Sequence, residues 1–221
     1  MQFQEKSKWD YNWDRRHFEN SDKKIETKRR NIFLIRHGQY ENKVHDSERV
    51  LTEKGRIQAK LVGQRMKEMK FTFNKVWVST MVRASETAKI IESCFSEPLP
   101  IEHSDLIREV CPADPVPPLE GYDPAESELF QETICAEAGF RQIFHRPDVK
   151  DPAVSYEMVV CHGNLIRYWT LRALQLDPQG WLRIGVHNCS VTWITIAEDG
   201  KVSIKTLGDF GHLPKEFQTF N

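Results

Sequence analysis

Hydrophobic and polar positions change period along this chain. Ile32-Phe33-Leu34-Ile35, Val76-Trp77-Val78 and Met158-Val159-Val160 are short unbroken apolar runs, as in strands buried on both faces. Between the first two the period lengthens. Behind Thr52, a residue type suited to capping a helix, Ala59, Val62, Met66 and Met69 recur every three or four positions and predict one apolar helical stripe. A second helix is predicted over 82–95, directly after the second strand. A third carries Phe130, Ile134 and Ala138 and runs to His145, and a fourth, capped by Asn164, follows the third strand with Leu165 and Trp169 inward. Val191 to Ile196 alternates in part, and Val202-Ser203-Ile204 follows across Glu198-Asp199-Gly200, whose Asp-Gly pair predicts a hairpin. Prolines 98, 100, 112, 115, 117, 118 and 124 make residues 98–124 an extended connection of the kind that overlies a site. Strands feeding directly into helices predict an α/β sandwich.

The two ends read differently from the centre. Residues 1–30 carry nine basic and six acidic groups with few aliphatic ones, so they are expected to form a tail. Within it, Trp9-Asp10-Tyr11-Asn12-Trp13-Asp14 places three aromatic rings in six residues, which predicts a partner surface that covers them. The alternative is that the rings fold back on their own core. Lys28-Arg29-Arg30 is expected to be a solvated linker, which divides the chain into a tail over 1–30, a catalytic unit over 31–210 and a short tail over 211–221.

Composition narrows the function classes. The 221 residues hold 31 Lys plus Arg and 32 Asp plus Glu, a formal charge of -1. Such a chain has no basic field to draw nucleic acid or anionic membranes. Five cysteines without a C-x-x-C pair leave no closed disulfide framework and predict a reducing compartment. With no apolar window near the ~18 residues of a membrane span, the chain is expected to be soluble.

Chemistry concentrates at strand ends. Ile35-Arg36-His37-Gly38 and Val160-Cys161-His162-Gly163 close two predicted strands alike, and ligands of α/β sheets bind beyond the carboxyl ends of strands. Both imidazoles are therefore expected to meet, with a helix N-terminus after His162 ready for an anion. Arg36 adjoins His37, and Arg83 follows the second strand, so fixed positive charge reaches the same edge and suits phosphate oxygens. A metal fits poorly, since close His or Cys ligand spacing is missing and two arginines repel a cation. No metal or cofactor is expected.

Leu34-Ile35-Arg36-His37-Gly38, Leu51-Thr52-Glu53-Lys54-Gly55-Arg56-Ile57-Gln58-Ala59, Arg83-Ala84-Ser85-Glu86-Thr87-Ala88 and Cys161-His162-Gly163-Asn164 resemble, in order and spacing, the histidine phosphatase superfamily. The resemblance implies a three-layer sandwich with a mixed, mostly parallel central sheet flanked by helices, as in phosphoglycerate mutases. It also implies that His37 is the nucleophile and forms a phosphohistidine. Arg36, Arg83, a protonated His162 and the Gly163 N–H would bind phosphate, and Glu109 would serve as general acid and base. Arg36-His37-Gly38-Gln39-Tyr40, Leu106-Ile107-Arg108-Glu109, Gly180-Trp181-Leu182-Arg183 and Thr206-Leu207-Gly208-Asp209 are most similar to a branch of mitochondrial protein Ser/Thr phosphatases. That likeness implies an outer mitochondrial membrane location, phosphoprotein substrates such as apoptosis signal-regulating kinase, a role in stress-kinase signalling, and activation by multimerisation. Dimers and higher multimers would form through Trp9, Asp10, Asn12, Trp13 and Asp14, which match a W-D-x-N-W-D motif. Gln39, Tyr40 and Lys43 replace the Glu, Ser and Asn of many mutases, and only 53 positions separate Glu109 from His162, so a mutase lid is not expected. A small-molecule phosphatase or mutase, and a kinase-recruiting scaffold, are the alternatives.

Overall fold

The computed structural model describes residues 9–16 and 28–220. Its strands are β1 (Arg29–Arg36), β2 (Lys75–Ser79), β3 (Ile101–Ser104), β4 (Val154–Cys161), β5 (Val191–Ala197) and β6 (Val202–Asp209). They form one sheet in the order β3-β2-β4-β1-β5-β6. The first four are mutually parallel and the last two antiparallel, which is the mixed sheet expected. Helices α1 (Glu53–Glu68), α2 (Val82–Glu92), α3 (Glu126–Ile143) and α4 (Gly163–Ala173) cover it.

The alternation of β1 explains the three layers. Ile32 and Leu34 pack with Phe140 of α3 and Leu165 and Trp169 of α4, whereas Phe33 and Ile35 pack with Ala59 and Val62 of α1 and Ala84 and Ala88 of α2. A strand with helices on both faces has no polar face to offer water, hence its unbroken apolar run. Each large side chain buried this way stabilises the fold by about 1.5–3 kcal/mol.

Local signals act as their chemistry requires. Thr52 Oγ1 accepts the Gly55 N–H at 3.0 Å and caps α1, while Ala59, Val62 and Met66 form its buried stripe. Gly200, at φ +82°, turns the chain between β5 and β6. The second helix stops at Glu92, three residues short of the predicted Phe95. In α3 Phe130 and Ile134 are 65% and 51% exposed, and Ala136, Gly139, Phe140 and Ile143 are buried. Ile134 precedes Ala136 by two residues, roughly 200° around a helix, so both cannot face inward. Gly139 fixes the choice, because a Cβ there would lie 2.3 Å from the Leu106 carbonyl oxygen. Asn164 is no cap either. His162 precedes the first turn of α4, and Asn164 lies inside it with Nδ2 donating to the Val110 carbonyl.

Both ends depart from the expected tails. Arg30 is buried, not solvated: strand parity puts it on the face of Ile32, where Nε and Nη2 donate to the Glu157 carboxylate at 2.7 and 2.8 Å. Lys28 donates to the carbonyls of Asp148, Val149 and Asp151. Trp13 takes the fold-back alternative, 6% exposed, with its ring on Phe140 and its N–H on the Gly200 carbonyl at 2.8 Å. Asp14 pairs with buried Arg146 through both carboxylate oxygens, and Trp9 packs partly buried on the same core. Tyr11 is exposed, as are Asp10 and Asn12. Residues 1–8 and 17–27 of the expected tail lie outside the described residues. At the other end Leu213 is 2% exposed, so the segment after 210 packs on the domain. Among the described residues, no helix is long and apolar enough to cross a membrane.

Candidate active site

Because β1, β2 and β4 are parallel neighbours, their carboxyl ends deliver side chains to one edge. β1 ends at Arg36 and continues into His37, whose N–H donates to the Cys161 carbonyl at the end of β4. His37 and His162 face each other with ring centroids 5.1 Å apart. The chain can turn here because Gly38 lacks a Cβ, which would lie 2.6 Å from the Gly55 carbonyl oxygen in the first turn of α1. The Gly38 N–H is held by Thr87 Oγ1 at 3.0 Å, and that hydroxyl donates to the Arg83 carbonyl.

The His37 tautomer follows from its neighbours. Nδ1 lies 2.8 Å from the Gly38 carbonyl, which can only accept, so Nδ1 carries the proton and Nε2 the lone pair. Arg83 Nε donates to Nε2 at 3.2 Å. Burial, then the Arg83 and Arg36 guanidiniums, hold His37 well below its usual range and keep it neutral. A buried neutral imidazole whose Nε2 carries no proton is a competent nucleophile.

His162 Nε2 pairs with Ser79 Oγ at 2.8 Å, while its buried Nδ1 has no partner. Burial, His37 and both arginines push its pKa well down, so among these groups it is neutral. With two guanidiniums beside it, the protonated His162 expected from sequence needs the compensating charge of an incoming anion. Arg36 is 8% exposed, and its Nη1 donates to the carbonyls of Val186 and Phe220 while Nε has no partner. Burial lowers it to about 10, still a cation at neutral pH. Gly163 gives Arg36 room, since a Cβ there would lie 3.2 Å from Nε. As the first residue of α4, Gly163 also presents an N–H with no acceptor inside the helix.

Glu109 reaches the same place from the proline-rich loop. Its Oε1 is sealed from water without a partner, and burial raises the carboxyl to about 7 against the opposing pull of Arg83 and Arg36. It can therefore both donate and accept a proton near neutrality. The six predicted residues Arg36, His37, Arg83, Glu109, His162 and Gly163 thus converge, whereas the tail motif packs elsewhere.

Sequence likeness decides what this edge belongs to. The profile of the histidine phosphatase superfamily, branch 1, matches residues 32–115 and 137–209. The chain belongs to the histidine phosphatase superfamily. It is 42% identical to the "Serine/threonine-protein phosphatase Pgam5, mitochondrial" of Caenorhabditis elegans over 95% of this chain and 79% of the relative. The Drosophila ananassae protein of the same name is 43% identical over 87% of this chain and 67% of its own. Among solved structures, the phosphoglycerate mutase of Plasmodium falciparum superposes with a TM-score of 0.60 at 27% identity, covering 85% of this chain and 96% of that one. This histidine phosphatase therefore has the phosphoglycerate mutase-like fold, and the positive edge is where its hydrolytic chemistry would take place.

Several contributors escaped the sequence reading. Ser79, which holds His162, ends β2 and was open to the strand-end rule applied to the two histidines. Tyr40 meets the His37 ring edge-on at 5.2 Å and lies under the Arg83 guanidinium at 4.7 Å. Arg167 lies one turn beyond Gly163 on α4, within the field of Glu109, a placement the i, i+4 rule could have given. Asn188 and Gln58 support the nucleophile loop; no short motif announces Asn188, while Gln58 lies within the Leu51 to Ala59 motif.

Proposed function

We propose that the chain is a metal-independent protein phosphatase that hydrolyses phosphoserine and phosphothreonine through a phosphohistidine on His37. The carrying observation is a neutral His37 with an unprotonated Nε2 beside two buried guanidiniums, Arg36 bound to backbone carbonyls and Arg83 to that Nε2 and, at 3.4 Å, to Asp46. In this reading Nε2 attacks phosphorus in line and the phosphorus–oxygen bond to the substrate breaks. Glu109 gives its proton to the departing Ser or Thr oxygen. Water, deprotonated by Glu109, then attacks the phosphohistidine, releasing phosphate and free His37. Arg36, Arg83, His162 and the Gly163 N–H neutralise the equatorial oxygens, each donor contributing about 3–4 kcal/mol in comparable sites. The bound dianion also supplies the charge that allows His162 to take a proton.

A protein substrate is supported by the printed names of the relatives and by the 53-position span from Glu109 to His162, which leaves no room for a long lid. Side-by-side assays of phosphopeptides and phosphoglycerates test it. Higher kcat/KM on phosphopeptides is expected; a preference for phosphoglycerates would make the chain a small-molecule phosphatase or mutase.

The mitochondrion belongs to the same proposal through the relatives' names. The outer membrane, stress-kinase signalling and apoptosis signal-regulating kinase as substrate rest on the sequence resemblance. So does assembly through Trp9, Asp10, Asn12, Trp13 and Asp14. Trp13 and Asp14 are engaged by the chain's own core, which leaves Asp10, Tyr11 and Asn12 with open surface for a second copy. Replacing Trp9 and Trp13 by Ala should lower particle mass and specific activity together, and light scattering that showed unchanged mass would remove multimerisation from the reading.

A further inference from the structure

The segment after β6 returns to the active site and holds it at three points. The Phe220 carbonyl accepts from Arg36 Nη1 at 2.5 Å, beside the Val186 carbonyl at 2.8 Å. Thr219 and Asn188 hold each other: the Thr219 hydroxyl donates to Asn188 Oδ1 at 2.8 Å, and the Asn188 N–H donates to the Thr219 carbonyl at 3.0 Å. Asn188 Nδ2 in turn donates to the His37 carbonyl at 3.1 Å. On the other side, Gln58 Nε2 donates to the Phe217 carbonyl at 2.6 Å and to Thr219 Oγ1 at 2.8 Å, and Gln58 Oε1 accepts the Gln39 N–H at 2.8 Å.

Asn188 and Gln58 are wholly buried, and each uses both ends of its amide. A buried amide satisfied at both ends has its orientation fixed, because turning it over would leave polar atoms unmet. Each therefore acts as a strut between this segment and the loop from Arg36 to Gln39. The Thr219 hydroxyl is the shared joint: it donates to one strut and accepts from the other. The Phe220 carbonyl does the matching work on Arg36. By engaging Nη1 it sets the guanidinium so that Nε keeps no protein partner and passes over Gly163.

We propose that residues 217–220 are a positioning strap for the nucleophile loop. Thr219 and the Phe220 carbonyl act through Asn188, Gln58 and Arg36 to keep His37 and Arg36 in register for phosphoryl transfer. This rests on the phosphatase reading of the site. None of the strap residues touches the reacting atoms; they are positioning residues, and Thr219 is the most informative to change.

Three proteins test it: Thr219→Val, Thr219→Ser, and a chain ending at Glu216. Because a misplacement near 1 Å can cost about 100-fold in rate, Thr219→Val and the shortened chain should lose about 10- to 100-fold in kcat with KM for a phosphopeptide little changed. Orthovanadate, as an anion probe measured by calorimetry, should bind more weakly to both. Thr219→Ser, which keeps the hydroxyl, should behave as the parent. A synthetic peptide covering residues 213–221, added to the shortened chain, should restore turnover. Melting temperatures of Thr219→Val and the shortened chain should fall by a few degrees at most, since Phe217 to Phe220 are only partly buried or exposed, and Thr219→Ser should not share the fall.

Parental kcat and orthovanadate affinity in the shortened chain would overturn the proposal. So would a rise in activity, which would make the segment a block, or losses that follow melting temperature and are not rescued by serine. An intact chain that binds orthovanadate but hydrolyses no phosphoester would overturn the phosphatase reading alone, and the ratio of orthovanadate affinities would still decide the strap. An intact chain that binds no orthovanadate would overturn both.

Discussion

Arginine is buried at both ends of the central sheet, with opposite outcomes. Where β1 begins, Arg30 meets the Glu157 carboxylate through two donors, and nearby Arg146 meets Asp14 in the same way. Where β1 ends, Arg36 and Arg83 are as well covered, yet Arg36 finds backbone carbonyls, and Arg83 finds a histidine nitrogen and an Asp46 oxygen at 3.4 Å. Burying a charge without a close counter-charge is costly. A compensated guanidinium fastens elements together; Arg36, held by carbonyls alone, and Arg83, with one long carboxylate contact, keep an affinity for an anion. Burial, and after it the arginines, push both histidines down, while burial raises Glu109 against the pull of the arginines.

Changing one residue at each edge sharpens the contrast. Glu157→Ala leaves Arg30 buried and unpaired, so urea unfolding should show a loss of about 3–5 kcal/mol while the folded fraction keeps its kcat. Arg83→Met should do the reverse, lowering kcat by about 100- to 1,000-fold with stability unchanged or raised. An Arg83→Met protein that is active but unstable, or a Glu157→Ala protein that is stable, would break the comparison.

Glu109→Gln should reduce kcat by about 100-fold or more on phosphopeptides. It also carries a pH signature. The leaving oxygen needs the protonated acid, and Glu109 is held near 7, so kcat/KM of the parent should fall as pH rises through about 7. His37, lowered well below 6.5, sets the acid limb far below that. In the Gln variant the limb near 7 should vanish, and its persistence would assign it to another group.

What was legible in the sequence was what contiguous residues encode. Arg36-His37-Gly38 and Cys161-His162-Gly163 each place a reactive group, its neighbour and its turn in adjacent positions, so strand ends sufficed to bring them together. Glu109 sits in a loop without periodicity, and only the family resemblance singled it out. Arg30 was misread because charge composition outweighed strand parity. The protonation of His162 depends on burial beside two guanidiniums. The Asn188 strut joins positions 151 apart, a register that no local pattern states.

In this mechanism the positive edge positions His37 to take a phosphoryl group. The most direct test is rapid quench of the chain with a phosphorus-32-labelled phosphoserine peptide, followed by mapping of the label. The account predicts acid-labile, base-stable label on His37 that forms before phosphate is released, and none in His37→Ala, whose turnover is lost. Hydrolysis at the parental rate in His37→Ala, or label on any other residue, would contradict it.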